Sequence, residues 1–403
     1  MGIKDFTTPY IKDTTKSKNA TLRDLTHSSS SPIIIGFDMS VVIIKAMSVS
    51  STIISAYHSE PKVPLTELTD NVIATIKSYF IHGMHKAVLV FDGLTHKLKK
   101  EGAHQARYRN ADDMKQELTE LYTIKHFESQ EEEKIAVAKV KKLRSSLSPI
   151  REDIIHDIVV KAMETFGNKV VCIGSPYESD HQLASLFHQK VIDYVVTTDT
   201  DLIFLGCSLI LDFNPSTSKC WKMSLPELLS DRLPRIFKTE GVTWTRELLI
   251  HVGCFLGNDF INRVPGNGPG KVKLFVESVK DMTENEVYNY IHDEVIVATA
   301  GARNNRPQWQ DPQKKKDHLR LWKQSHAMFV NGPVFIVVPN DIMKSVRESV
   351  FDSEEFTIRL DSMAGDKNDW MVNGEELLVG YHPHEEIVDK LDIEVPTIVC
   401  ATN

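Results

Sequence analysis

The chain is poor in cysteine. Five are spread over 403 residues (Cys172, Cys207, Cys220, Cys254 and Cys400), never as a C-x-x-C pair. An odd, scattered set excludes a disulfide framework and a cysteine zinc site, and it suits a reducing compartment. Long apolar runs are missing too. The most apolar stretch, "PIIIGFDMSVVIIKAM", is interrupted by Asp38 and Lys45, well short of the roughly 20 uncharged residues that span a bilayer. It lies behind a polar segment, so neither a signal peptide nor a membrane association is expected. The opening Met-Gly has Phe6 where a myristoylation motif has Ser or Thr. No P-loop and no nucleophile elbow occurs, which sets aside an unrelated α/β phosphatase or NTP-binding enzyme. The net charge of −8 argues against a general polyanion binder, unless the acids are gathered at a metal site and the bases elsewhere.

What is present is a βα alternation. At 41% hydrophobic residues the chain can build a sizeable core. Residues 1–31 are polar and Ser/Thr-rich, and the regular fold is expected to start at Ile33. "PIIIGFD" reads as a strand, residues 66–87 have helical apolar spacing, and "AVLVFDG" is a second strand, giving a βαβ unit. Residues 97–148 turn highly charged and rich in helix formers, an inserted helical excursion. Strands then resume at "NKVVCIG" and "VIDYVV", separated by a helix opened by "SPYESDHQLA". A hairpin ("CSLILDF", "CWKM"), the helix "TRELLIHVGCFLGNDF" and the turn "VPGNGPGK" follow. Residues 281–403 mix a basic stretch, "KKKDHLR", with the strand-like "PVFIVVPN", and hold no internal repeat. The expected fold class is α/β, with a mostly parallel central sheet flanked by helices.

The acids fall where those strands end. Asp38 closes "IIIGFD", Asp92 closes "VLVFD", Glu178 and Asp180 follow "VVCIGSPY", and Asp199 and Asp201 follow "YVVTT". One such Asp is an ordinary cap or turn residue. Six on four elements aim at one rim, the edge where open α/β sheets bind ligands. Clustered carboxylates raise one another's pKa and call for cations. No His or Cys accompanies them at ligand spacing, and an all-oxygen set favours Mg²⁺ or Mn²⁺ over zinc. Two such ions suit the in-line hydrolysis of a phosphodiester.

These segments, "MGI", "GFDMS", "VFDG" with a Lys/Arg-rich stretch after it, "SPYESDHQLA", "DYVVTTDTDLIFLGC", "FLGNDF" and "VPGNGPGK", stand in the order found in the flap endonuclease family of structure-specific 5′ nucleases. The chain resembles that family, also called XPG or Rad2-like, over residues 1–280, and leans to its exonuclease 1 branch. The resemblance implies a PIN-like 5′ nuclease fold. Residues 1–280 would be the nuclease core, 97–148 a helical arch and 246–280 a helix-turn-helix that grips duplex, with 281–403 an extension packed on the core.

The resemblance also implies residue roles. Asp38, Asp92, Glu178 and Asp180 match the first metal site, and Asp199, Asp201 and Asp259 the second. Two Mg²⁺ ions are the implied cofactors, with Mn²⁺ as substitute. Lys99 matches a lysine that reaches the scissile phosphate; strict spacing puts Ala106 at its arginine companion, with Arg107 next and Arg109 beyond. Between residues 97 and 109, Lys97, Lys99, Lys100, Arg107 and Arg109 face only Glu101, enough positive charge to stabilise a phosphate. Gly2, Gly266, Gly268, Gly270 and Lys271 would also contact DNA, with K⁺ held at the Gly266–Gly270 turn. Ile44 stands where relatives stack a ring on the nucleotide, Thr198 where an acid precedes the DxD pair, and Phe260 where a Tyr follows Asp259.

The expected partner is DNA with a 5′ flap, overhang, nick or gap, cut by a monomer in replication or repair, with RNA left open as a substrate. Endonuclease and 5′–3′ exonuclease action are both compatible with these residues. No sliding-clamp box is evident. The implied location is the nucleus or a DNA-containing organelle in a eukaryote, the cytoplasm otherwise. The alternative is a catalytically inactive relative that binds nucleic acid and regulates.

Overall fold

The structure, a computed structural model, describes residues 20–27, 31–49, 65–93, 116–117, 119–121, 123–124, 129–147, 152–263, 266–296, 312–351, 356–363, 371–372 and 375–376. At its centre is a seven-stranded sheet: β1 (Ala20–Thr21), β2 (Ile34–Asp38), β3 (Lys86–Phe91), β4 (Val170–Gly174), β5 (Tyr194–Val196), β6 (Leu209–Leu211) and β7 (Lys219–Met223). The strand order is β1-β7-β6-β5-β2-β3-β4. The five strands from β6 to β4 are all parallel; β7 and β1 close one edge antiparallel. This is the mostly parallel sheet that the apolar runs predict.

Period-two alternation sends neighbouring residues of each strand to opposite faces, and both faces are buried. Ile34, Val88, Val90, Val171, Ile173, Leu209 and Leu211 belong to one core, and Ile35, Phe37, Ala87, Leu89, Phe91, Val170, Cys172 and Ile210 to the other. The second core is covered by α2 (Met39–Val49), α3 (Leu65–Ile81) and α5 (Glu152–Phe166); between α3 and α5 in sequence lies α4 (Gln130–Leu147), in the charged region. The helix α1 itself (Leu22–His27) precedes β2. The first core is covered by α6 (Ser179–His188), the short α7 (Asp201–Phe204), α8 (Arg246–Leu256) and α9 (Val272–Val279). Gly36 lets α6 approach the sheet, since a Cβ there would sit 2.6 Å from Ile192 Cδ1 and 2.7 Å from Leu183 Cδ2.

Regular structure starts earlier than Ile33. β1 pairs Ala20 with Cys220 and Thr21 with Lys219, and Leu22 is fully buried. A two-residue strand has no periodicity to read, so its partner across the fold is what defines it.

Beyond residue 281 come α10 (Glu284–Tyr290), α11 (Pro312–Asn331), β8 (Pro333–Pro339), α12 (Val346–Ser349) and β9 (Phe356–Ser362), with β8 and β9 an antiparallel pair. Side chains of Gln182, Arg246 and Arg347 are among the polar contacts that join this part to the sheet and its helices. Gln182 of α6 donates from Nε2 to Phe335 O at 2.8 Å and accepts from Phe335 N–H at 2.7 Å, completing the backbone bonding of β8. Arg246 donates to Phe204 O at 2.9 Å and to Phe329 O at 2.6 Å. Arg347 forms a two-pronged pair with Asp193, at 3.0 and 2.9 Å, and Asp193 in turn accepts the N–H of Ile34 at 2.8 Å. Among the described residues no helix is long and apolar enough to cross a membrane.

Candidate active site

Chain order explains why the acids converge. The chain runs β2, β3, β4 outward on one side, then returns to add β5 on the other side of β2. The boundary between β5 and β2 is therefore a topological switch point, where the connections leave in opposite directions and open a crevice at the carboxyl ends. The register keeps those ends level: Asp38 faces Val90, Phe37 faces Val196, and Phe91 faces Gly174.

Ser179 and Thr197 bridge the acids, and Ser40 anchors one of them. Asp38, buried at 3% exposure, accepts from Thr197 Oγ1 at 2.9 Å through Oδ2, and from Val41 N–H and Ser179 Oγ, each at 3.4 Å, through Oδ1. Asp92 accepts the N–H of Ser179 at 2.8 Å on one oxygen and the Ser40 hydroxyl, in a short contact, on the other. Ser179 thus touches both aspartates while standing between Glu178 and Asp180 at the start of α6. On the other side of Asp38, Thr197 accepts the N–H of Asp199 at 2.9 Å, and Asp199 Oδ1 accepts the N–H of Asp201 at 3.1 Å. Asp201 opens α7 and is buried at 7% exposure; Glu178, Asp180 and Asp199 are half-buried. The six acids read from the strand ends lie around one rim.

Asp259 comes from elsewhere, in the turn after α8. Asn258 shapes that turn: its Oδ1 accepts from Phe260 N–H at 2.9 Å and Ile261 N–H at 3.2 Å, and its Nδ2 donates to Ser325 Oγ at 2.9 Å. Gly257 takes φ +82° there, with Arg263 N only 2.7 Å from the place of a Cβ. The ring of Phe260 stacks on His181, 6.1 Å between centroids, so the turn flanks α6 one residue from Asp180.

Electrostatics fit a cation. Burial is the largest cause that pushes the Asp38 carboxyl up to about 7, and the charges of Asp92 and Asp199 push the same way against the hydrogen bonds from Thr197 and Val41. An all-oxygen set in which a carboxylate is held back by its anionic neighbours is what a hard divalent ion relieves.

Gly2, Lys97, Lys99, Lys100, Arg107 and Arg109 lie outside the described residues. The glycine turn is described from Gly266, at φ +86°, to the 3₁₀ turn Pro269–Lys271, which opens α9. A Cβ at Gly266 or Gly270 would meet nothing within 4 Å, so this backbone is open to approach from outside. Ile44 lies on α2, exposed at 39%. The hydroxyl-bearing Ser40, Ser179 and Thr197 that hold the acids, and the turn-forming Asn258, are not identified by strand patterning; the nearby Asp in "DMS", "ESD", "TTD" and "ND" is the available signal.

Residues 169–259 match the model of the XPG I-region. The chain is 26% identical over 204 residues to exonuclease 1 of Drosophila melanogaster, covering 47% of this chain and 24% of that protein. It is 50% identical over 77 residues to the virion host shutoff protein of varicella-zoster virus (strain Dumas), covering 19% of this chain and 15% of that one. The aligned part is thus at most about a quarter of either relative's length. Among solved structures, the catalytic core of Rad2 in complex with DNA substrate aligns over 96% of this chain and 98% of that one, at 14% identity and a TM-score of 0.47. The stretch that matches the XPG I-region holds five of the seven acids, Glu178, Asp180, Asp199, Asp201 and Asp259.

Proposed function

We propose that the chain is a metal-dependent 5′ nuclease that hydrolyses DNA phosphodiesters at 5′ ends or flaps near single-strand/double-strand junctions, in replication or repair. The convergence of Asp38, Asp92, Glu178, Asp180, Asp199 and Asp201 on the switch-point rim carries this reading, and the match of residues 169–259 to the XPG I-region supports it. Two Mg²⁺ ions, held by these six and Asp259, would supply the activated water and the charge that stabilises the in-line displacement. Ser40, Ser179 and Thr197 hold the carboxylates in register. Lys99, with Arg107, would stabilise the phosphate. Gly266, Gly268, Gly270 and Lys271 would hold the duplex through open backbone and the start of α9.

The test is cleavage of a labelled 5′-flap duplex, with a blunt duplex and an RNA-flap version beside it, in Mg²⁺ and in EDTA. Cutting near the junction that EDTA abolishes supports the proposal. The flap-to-blunt ratio separates endonuclease from exonuclease. Tight binding of the flap with no turnover in either ion would instead make the chain a binding relative that regulates.

The rim also predicts how metal stabilisation varies with pH. Below the carboxyl's unfolded value of about 3.8 both states hold the proton and Asp38 costs nothing; the cost grows as pH rises and is complete above about 7. A cation removes it. The rise in Tm on adding Mg²⁺ should therefore be larger near pH 8 than near pH 5. Equal rises at both would place the ion away from Asp38.

A further inference from the structure

A second set of ligand-type side chains lies where α8, α10 and α11 meet, away from the carboxylate rim. Glu247 and His251 stand one turn apart on α8, and His326 faces them from α11. His251 and His326 are buried, at 2% and 4% exposure, while Glu247 is half exposed. One ligand atom from each lies within 4.8 Å of the other two. His326 Nε2 is in short contact with Glu247 Oε1, His251 Nε2 lies 3.7 Å from the same oxygen, and the two rings stack with centroids 4.6 Å apart.

Proton accounting shows what is missing. His326 Nδ1 faces the Tyr288 hydroxyl at 3.4 Å and Glu284 Oε1 at 3.8 Å, and Tyr288 itself donates to Glu284. The tautomer with its proton on Nδ1, which metal-bound histidines have, would aim the Nε2 lone pair of His326 into the space shared with Glu247 and His251. His251 Nε2 is buried and has no hydrogen-bond partner. Two imidazole nitrogens and a carboxylate oxygen thus converge on one point, with His251 Nε2 left without a hydrogen bond.

We propose that Glu247, His251 and His326 bind one divalent ion of the Zn²⁺ class, with water completing the shell on the exposed side of Glu247. Two imidazoles and one carboxylate are a zinc ligand set, unlike the oxygen-only rim. The Trp322 indole N–H points at His251 Nδ1 from 3.5 Å; metal on Nε2 moves the ring proton to Nδ1, and this long contact is the one given up. The bound ion would tie α11 to α8, whose end carries the Asn258–Asp259 turn.

The experiment strips the full-length chain with chelator and titrates Zn²⁺ in excess Mg²⁺, so that the oxygen rim is filled and only a nitrogen-containing site competes for zinc. One Zn²⁺ per chain is expected, with Tm raised by about 3 °C at a free concentration of roughly a hundred times Kd. Glu247→Gln, which keeps the size of the side chain and removes its charge, and His326→Gln should each weaken binding by at least about tenfold, and Glu284→Gln by roughly 10- to 100-fold. Circular dichroism checks that each variant folds; if His326→Gln does not, Glu247→Gln decides. Unchanged zinc affinity in Glu247→Gln, or no zinc bound by the wild type, overturns the proposal and leaves the His326–Glu247 contact as an ordinary helix-to-helix hydrogen bond.

Discussion

Asp201→Ala is expected to lower the rate of 5′-flap cleavage in Mg²⁺ by on the order of 10³-fold, the scale of removing one group that stabilises a transition-state charge in a dry site. Asp201 is buried at the first position of α7, and its N–H is fixed by Asp199. Its carboxylate is part of a rim whose other charges are also negative, so its removal relieves repulsion and should leave the Tm unchanged or slightly raised. Flap binding in Ca²⁺ or EDTA should hardly change, because the glycine turn and the basic residues are untouched. Asp281→Ala, on an exposed carboxylate beside Lys280, serves as control and should retain full rate. A rate for Asp201→Ala within tenfold of wild type would remove this carboxylate from the chemistry and with it the two-ion reading.

The second large effect is expected from a residue with no functional group. Gly93→Ala places a Cβ 2.0 Å from Ser175 O and 2.8 Å from Pro176 O. Both obstacles are backbone, so no side-chain rotation makes room. Gly93 also donates its N–H to Tyr177 O at 2.6 Å, clamping the end of β3 to the loop that leads from β4 into α6. The substitution must push that loop away, carrying Glu178 and Asp180 from Asp92. Overpacking of this kind costs about 1–3 kcal/mol of stability, and a displacement near 1 Å costs about 10²-fold in rate. Urea denaturation and single-turnover cleavage would measure the two. Loss of stability with an unchanged rate would show that the rim tolerates movement of α6, against a site that needs all its carboxylates in register.

The lower legibility of other parts has physical causes. β1 is two residues long, held by pairing with β7 some two hundred residues away, and nothing in its own sequence marks it. In α11 the basic "KKKDHLR" stands out in the sequence, yet the same helix buries Trp322, His326 and Phe329. Charges on the first turns mask an apolar stripe that is recognisable only once its partners on α8 and α10 are known. The Glu247–His251–His326 cluster was missed for the same reason: Glu247 and His251 are an ordinary helical pair, and the third member lies 75 residues further on.

The sequence by itself determined the strand identities, because β-branched runs bounded by turns have only one way to bury both faces in a sheet. It also determined that acids close those strands, since an Asp after "IIIGF", "VLVF" or "YVVTT" is a matter of adjacency. Only the tertiary structure decided that β5 returns to lie beside β2, which turns four separate acidic ends into one rim. It alone decided that Ser179 and Thr197 bridge those acids, that Asn258 and the Phe260–His181 stack bring the Asp259 turn to α6, and that Gln182 completes β8. Local periodicity records which face of an element is buried. Which elements meet is set by nonlocal pairing and packing, whose partners are far apart along the chain and leave no mark on the spacing of neighbouring residues.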